Sequence, residues 1–278
     1  MSRDLVGFHL VRSLLAGVAF VSFWTGGVVL AWVVLPVASR RIDHEPELRH
    51  RCQGWLQRSF VAFHDVLRGL GLLDYDPRRV HLGLPEGPCV VIANHPTIID
   101  APAIISVESR LACVVKRTYY HRLGIGRLLR CCGYIDGGDE ASPMASALVA
   151  VQAMKRLEAG QPVLFFPEGT RSPAGGLGTF QRGAFEVALR SGTPIVPVIV
   201  TCDPPVTGKG QHWYEMPSRT PRLEVKVLDA SAITRGATDS RELASRFQDL
   251  YLISLNLEPF RHTLPKHEVR GVHGRAGA

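Results

Sequence analysis

The chain of 278 residues has six cysteines but no Cys-x-x-Cys pair, and eleven histidines but no His-Glu-x-x-His or other zinc-type spacing. No metal is implied, and Cys52, Cys89, Cys113, Cys131, Cys132 and Cys202 read as reduced thiols of a cytoplasmic domain, three of them in or beside apolar strand-like runs. Phosphate-loop and dinucleotide patterns are missing too. Gly124-Ile125-Gly126 lacks a third glycine, and Gly208-Lys209 lacks both the spaced glycine before it and a Ser or Thr after it. Nucleotide-driven chemistry is thereby excluded. The absence of a Gly-x-Ser-x-Gly elbow removes the serine esterases of the hydrolase type. There is no internal repeat.

Charge is missing altogether from Leu14 to Val37. A helix of that length runs roughly 36 Å, enough to cross a hydrocarbon core of about 30 Å with some tilt. A cleaved signal peptide is the competing reading, but the run is too long and Pro36-Val37-Ala38 is a poor cleavage site. Arg40, Arg41, Arg49 and Arg51 follow the run, against Arg3, Arg12 and Asp4 before it, so the positive-inside rule places the C-terminal bulk in the cytoplasm. Over the whole chain Lys and Arg exceed Asp and Glu by 32 − 25 = 7, with a pI near 9.3. That surface favours anionic partners, nucleic acid or an anionic membrane surface.

From Leu48 to Leu73, Trp55, Leu56, Phe60, Phe63, Leu67 and Leu70 recur at steps of three and four, opposite Gln53, Gln57, Arg58, Asp65 and Arg68. This is an amphipathic helix, and two sites for its apolar face stay open: the core of the domain, or the bilayer surface, which the preceding apolar run favours. Further on, strand-like and helix-like segments alternate, so the class is α/β. Strands are expected at Val80–Leu82, Cys89–Ala93, Leu111–Lys116, Val163–Phe166, Ile195–Val200 and Leu223–Leu228. Helices are expected at Pro96–Ser106, Ser142–Glu158, Gly183–Ser191 and Ser240–Glu258, with a proline-rich loop over Cys202–Pro221. The organisation is then an anchor (1–41), an amphipathic interfacial helix (42–76), a catalytic domain (77–259) and a basic, disordered tail (260–278).

Two of these strands run into polar clusters. Cys89–Ala93 leads into Asn94-His95-Pro96-Thr97-Ile98-Ile99-Asp100, and Pro162–Phe166 leads into Pro167-Glu168-Gly169-Thr170-Arg171-Ser172. With Pro96 at the first position of a helix and Asn94 or His95 at its cap, Asp100 falls in the following turn and reaches back to the imidazole. His95 then reads as a general base and Asp100 as its orienting carboxylate, with a hydroxyl as the target. Arg171 presents a fork of donors matched to phosphate, Gly169 lets backbone approach and Thr170 adds a hydroxyl. Arg182 stands at a helix start, open to an anion or to solvent.

In their order and separation the two clusters resemble the glycerolipid acyltransferases of the lysophosphatidate acyltransferase family, marked by Asn-His-x4-Asp and Phe-Pro-Glu-Gly-Thr-Arg-Ser. The resemblance spans about Val80 to Val200. It implies a mixed sheet flanked by helices, catalysis by His95 and Asp100, and acceptor phosphate held by Glu168, Gly169 and Arg171. It also points to Lys116 as the lysine of the intervening strand. Gly-Tyr-Ile-Asp at 133–136 matches a further family block until its last position, where Gly137 replaces the arginine. The function implied is transfer of a fatty acyl group from acyl-CoA or acyl-carrier protein to a lysolipid, 1-acylglycerol 3-phosphate first, with no cofactor and no nucleic-acid partner. Two alternatives remain. One is a related transferase whose acceptor lacks the phosphomonoester, a lyso-aminolipid or specialised glycolipid, which Gly137 favours. The other is a non-catalytic membrane-surface binding protein.

Overall fold

The structure, a computed structural model, describes residues 3–39, 45–139 and 142–257 apart from 213, 232, 235 and 237. A long apolar helix opens the chain: α1 (Arg3–Val29), a π-turn stretch at Leu30–Val34, and α2 (Leu35–Ser39). α3 (Glu45–Gly69) follows, with β1 (Val90–Ala93), α4 (Asp100–Val107), β2 (Ala112–Val115), α5 (Arg117–Tyr120), α6 (Gly126–Cys131) and β3 (Ile135–Asp136) after it. The second half runs α7 (Pro143–Glu158), β4 (Val163–Phe165), α8 (Gly183–Ser191), β5 (Ile195–Asp203), β6 (Arg222–Val227) and α9 (Ser240–Ser254).

The six strands form one sheet in the order β3-β2-β4-β1-β5-β6, parallel except for β6. β1 lies between β4 and β5, with Val91 level with both Leu164 and Val196. Strands buried on both sides explain the continuous apolar runs at 89–93 and 163–166. Their alternate residues divide between two cores. Val91, Ala93, Cys113, Leu164, Val198 and Val200 share one core with α1, α3, α4 and α6, while Val90, Ile92, Val163, Phe165 and Ile199 share the other with α7, α8 and α9. On that second side the Tyr251 hydroxyl of α9 is shared between the carbonyls of Ile92 (2.8 Å) and Val198 (3.0 Å), pinning the helix across the β1–β5 pair.

One side of the amphipathic helix packs on the domain, while Val66 and Leu70 stay exposed. Leu56, Phe60, Phe63 and Leu67 are buried, and α3 packs on α4 and α1. Each of these side chains contributes roughly 1.5–3 kcal/mol by burial. Phe23 of α1 meets the Phe63 ring at 4.4 Å and Phe60 at 5.7 Å, so the apolar N-terminal helix does not stand off from the domain. Gln53, which belongs to the polar side by periodicity, is buried and donates to the Cys132 carbonyl at 2.9 Å.

The cysteine expectation is also corrected. Cys52 of α3 and Cys131 of α6 are paired as a disulfide, while Cys89, Cys113, Cys132 and Cys202 are free. Val80–Leu82 is not a strand; nearby, the chain makes an isolated bridge from Asp74 to Arg222 of β6. The expected tail beyond Phe260, and Arg40 and Arg41, lie outside the described residues.

Candidate active site

Both polar clusters leave the carboxyl ends of neighbouring parallel strands, the position where open α/β sheets hold their ligands. Asn94 continues the β1–β5 ladder with its side chain, donating to the Val200 carbonyl and accepting the Val200 N–H, both at 2.8 Å. The main chain therefore leaves the sheet at a fixed angle, and His95 is the first residue free of it.

The helix begins at Asp100, four residues later than Pro96 suggests, since residues 96–99 form bends and turns. The reason lies in the hydrogen bonds of the Asp100 carboxylate. Oδ2 accepts the Thr97 N–H at 2.7 Å and Oδ1 accepts the Thr97 hydroxyl, so a tight turn closes in place of a helical first turn. Asp100 is fully buried, and its Oδ2 also lies 2.8 Å from His95 Nδ1. Because the carboxylate only accepts, Nδ1–H is the donor and Nε2 carries the free lone pair. The imidazole stacks on Phe166 with ring centroids 4.3 Å apart, and its side chain keeps 21% of its surface exposed.

The Glu168 carboxylate is buried and bonded within the site. Its Oε1 accepts the His95 N–H at 2.9 Å and the Ser172 hydroxyl at 2.7 Å, and its Oε2 accepts the Gly178 N–H at 2.6 Å. A Cβ at Gly178 would come 2.7 Å from that Oε2, so only glycine permits the approach. Ser172 N–H closes a second link to the His95 carbonyl at 2.8 Å. Glu168 is thus the clamp between the two clusters, a role that sequence spacing does not reveal. Gly169 takes the left-handed conformation (φ +68°) that turns the chain after Glu168.

Arg171 NH1 donates to the carbonyls of Thr207 and Gly208, both at 2.8 Å, so one edge of the guanidinium fixes the long loop after β5. Arg171, Gly169, Thr170, Lys116 and His95 all line one cavity of about 1580 Å³. Arg182 does not line it: it is exposed at the start of α8, near Glu186. Arg117, beside Lys116, and Lys209 also line the cavity. Signals for them exist in the sequence only as cations in a loop and beside Lys116. The polar end of the wall therefore carries Lys116, Arg117, Arg171 and Lys209 against Asp139. Most of the remaining lining is apolar and includes Phe23 of α1, Phe60 and Phe63 of α3, Leu128 and Tyr134. Gly137 also lines it, but a Cβ there would meet the Val115 carbonyl oxygen at 2.8 Å, and the Gly137 N–H donates to that same oxygen. Among the described residues no cluster of three or more His, Cys, Asp or Glu could hold a metal ion.

Residues 76–201 match the family model described as Acyltransferase. Human 1-acyl-sn-glycerol-3-phosphate acyltransferase beta is 31% identical to it over 147 residues, which cover 52% of this chain and 50% of that protein. The 1-acyl-sn-glycerol-3-phosphate acyltransferase of Pseudomonas aeruginosa is 27% identical over 186 residues, covering 66% of this chain and 65% of the relative. The chain thus spans from about half to two thirds of the length of these curated relatives. The chain also shares the fold of the crystal structure of the 1-acyl-sn-glycerophosphate (LPA) acyltransferase PlsC from Thermotoga maritima. The TM-score is 0.64 at 19% identity, covering 89% of this chain and 96% of that one. Both clusters and the strands that carry them lie inside the matched acyltransferase segment.

Proposed function

We propose that the chain moves a fatty acyl group from a thioester donor, acyl-CoA or acyl-carrier protein, to the hydroxyl of a lysolipid, with 1-acylglycerol 3-phosphate as acceptor. One observation carries the reading: His95, fixed through Nδ1 by the buried Asp100, stands where a cationic rim meets a long apolar cavity. Nε2 takes the proton of the acceptor hydroxyl as its oxygen attacks the thioester carbonyl. The tetrahedral intermediate then collapses, the C–S bond breaks, and the thiolate leaves with the proton that His95 returns. Asp100 keeps the tautomer and stabilises the imidazolium. No enzyme nucleophile is needed, because the acceptor itself attacks.

The acyl chain fits the apolar part of the cavity, and the acceptor phosphate fits the rim, where Arg171 has donors beyond those spent on Thr207 and Gly208. The names of the curated relatives support a glycerol-phosphate acceptor. A second reading, an acceptor without a phosphomonoester, draws on Gly137, which supplies no side chain to the rim and has no space for one. The helix over Leu10–Val37 is long and apolar enough to cross a membrane, and only 17% of its most apolar window is buried. It anchors the chain to the membrane in this reading, with the catalytic domain in the cytoplasm.

The experiment is a panel of lysolipid acceptors crossed with both donor types, followed by product analysis, with purified full-length protein. Lysophosphatidate turned over in preference to uncharged and zwitterionic lysolipids supports the first acceptor. Preference for a lyso-aminolipid supports the second, and no acyl transfer to any acceptor refutes both.

A further inference from the structure

The most exposed large hydrophobic side chain among the described residues is Leu123, 84% exposed, in the turn between α5 and α6. It is joined to the apolar N-terminal helix rather than isolated. Trp32 Nε1 donates to the Leu123 carbonyl at 2.8 Å, and the Arg122 guanidinium lies 5.1 Å from the centre of the Trp24 ring. On either side a glycine lets a side chain come close: a Cβ at Gly124 would touch Val28 Cγ2 at 3.1 Å and one at Gly27 would touch Ile125 Cγ2 at 3.3 Å. Val28 and Trp32 are themselves exposed, so Leu123 extends the apolar outer face of α1.

The stretch that carries this apolar tip is basic, and the nearby Asp136 is already taken by His121 at 2.7 Å and Arg117 at 3.6 Å. From Leu111 to Ile135 the chain has no Asp or Glu, but it has Lys116, Arg117, Arg122, Arg127 and Arg130. Arg122 and Arg127 are exposed on either side of Leu123, and no ion pair is made by either among the described residues. Lys116, Arg117, Tyr119 and Ile125 of the same stretch line the cavity that holds His95. An exposed leucine in a basic turn, with Arg122 and Arg127 exposed in the same stretch and Trp24 and Trp32 in contact with that turn, matches the chemistry of a bilayer interface, where aliphatic and indole groups sink and guanidinium groups meet phosphate.

We propose that residues 117–130 are a second membrane-contacting element, in which Leu123 enters the acyl region and Arg122 and Arg127 bind the phosphates of anionic lipid headgroups. This rests on the membrane anchoring proposed above. Its consequence is that one wall of the cavity sits at the lipid surface, so a lysolipid enters from the bilayer without crossing water.

The test is amide hydrogen exchange of the full-length protein in detergent, in phosphatidylcholine nanodiscs and in nanodiscs with added phosphatidylglycerol. Peptides covering 117–127 should exchange more slowly in nanodiscs than in detergent, and more slowly again with phosphatidylglycerol. Leu123→Asp should lose the nanodisc protection, and Arg122→Gln with Arg127→Gln should lose the phosphatidylglycerol increment. Both variants alter exposed side chains, and unchanged exchange in β1 and β4 checks that they fold. Equal exchange in all three environments would overturn the proposal. So would slowing produced by coenzyme A in lipid-free detergent and not by phosphatidylglycerol, which would assign the arginines to the donor. The readout needs no turnover, so a failure of acyl transfer is seen separately.

Discussion

Glu168 holds His95 by its backbone: Oε1 accepts the His95 N–H at 2.9 Å while the same carboxylate binds Ser172 and Gly178. A buried carboxylate with three donors organises the site and has little capacity left for a ligand. Glu168→Gln places an amide N–H against the Gly178 N–H and should lower stability by about 1–3 kcal/mol. Kinetically it should reduce kcat, by loosening His95, with little change in KM for the acceptor. A raised KM at unchanged stability would instead mean that Glu168 contacts the phosphate.

Lys209 reaches the cavity from the loop that Arg171 fixes through Thr207 and Gly208. Loss of one charge-assisted contact to a phosphate weakens binding by roughly tenfold. Lys209→Ala is therefore expected to raise KM for lysophosphatidate by roughly that factor, leave kcat in place, and leave an uncharged monoacylglycerol unaffected. Steady-state kinetics with the two acceptors check this.

Gly137 is closed to side chains by the Val115 carbonyl oxygen, 2.8 Å from where a Cβ would stand. Gly137→Ala should cost about 1–3 kcal/mol by forcing β2 and β3 apart. Gly137→Arg, which by the family pattern alone would be expected to improve phosphate binding, should lower thermal stability without raising kcat/KM for lysophosphatidate. A gain in that ratio would show that the backbone yields.

The strands and the motifs they carry were legible because buried parallel strands leave continuous apolar runs, and α8 was bounded as expected by Gly183 and Ser191. Periodicity located the apolar face of α3 but not its partner, since Phe60 and Phe63 would suit a bilayer as well as the Phe20 and Phe23 rings they meet. β3 is two residues long, too short for any periodic signal. The late start of α4 was hidden because a Pro at 96 invites a helix, while the choice was made by Asp100 bonding to Thr97. The Cys52–Cys131 pair joins residues 79 apart and has no local pattern.

His64 of α3 is fully enclosed, donating Nδ1–H to the Phe60 carbonyl at 2.7 Å, and burial pushes its pKa down to about 4, against smaller upward effects of that hydrogen bond and of Asp65. The folded state thus resists a proton that the unfolded chain accepts below about 6.5. Stability from this group is present above that pH and is lost as pH falls toward about 4, by up to about 3 kcal/mol. Melting temperatures of wild type and His64→Phe between those limits should converge as pH is lowered, if the variant starts lower. Parallel curves would remove His64 as the cause.

The central claim is that His95 is the general base, oriented by Asp100. The most direct measurement is the rate of acyl transfer by purified, folded His95→Ala relative to wild type, at saturating donor and acceptor. The account predicts a fall in kcat of at least ~10²–10⁴-fold, with a smaller fall for Asp100→Asn. Transfer by His95→Ala at a rate close to wild type would contradict it.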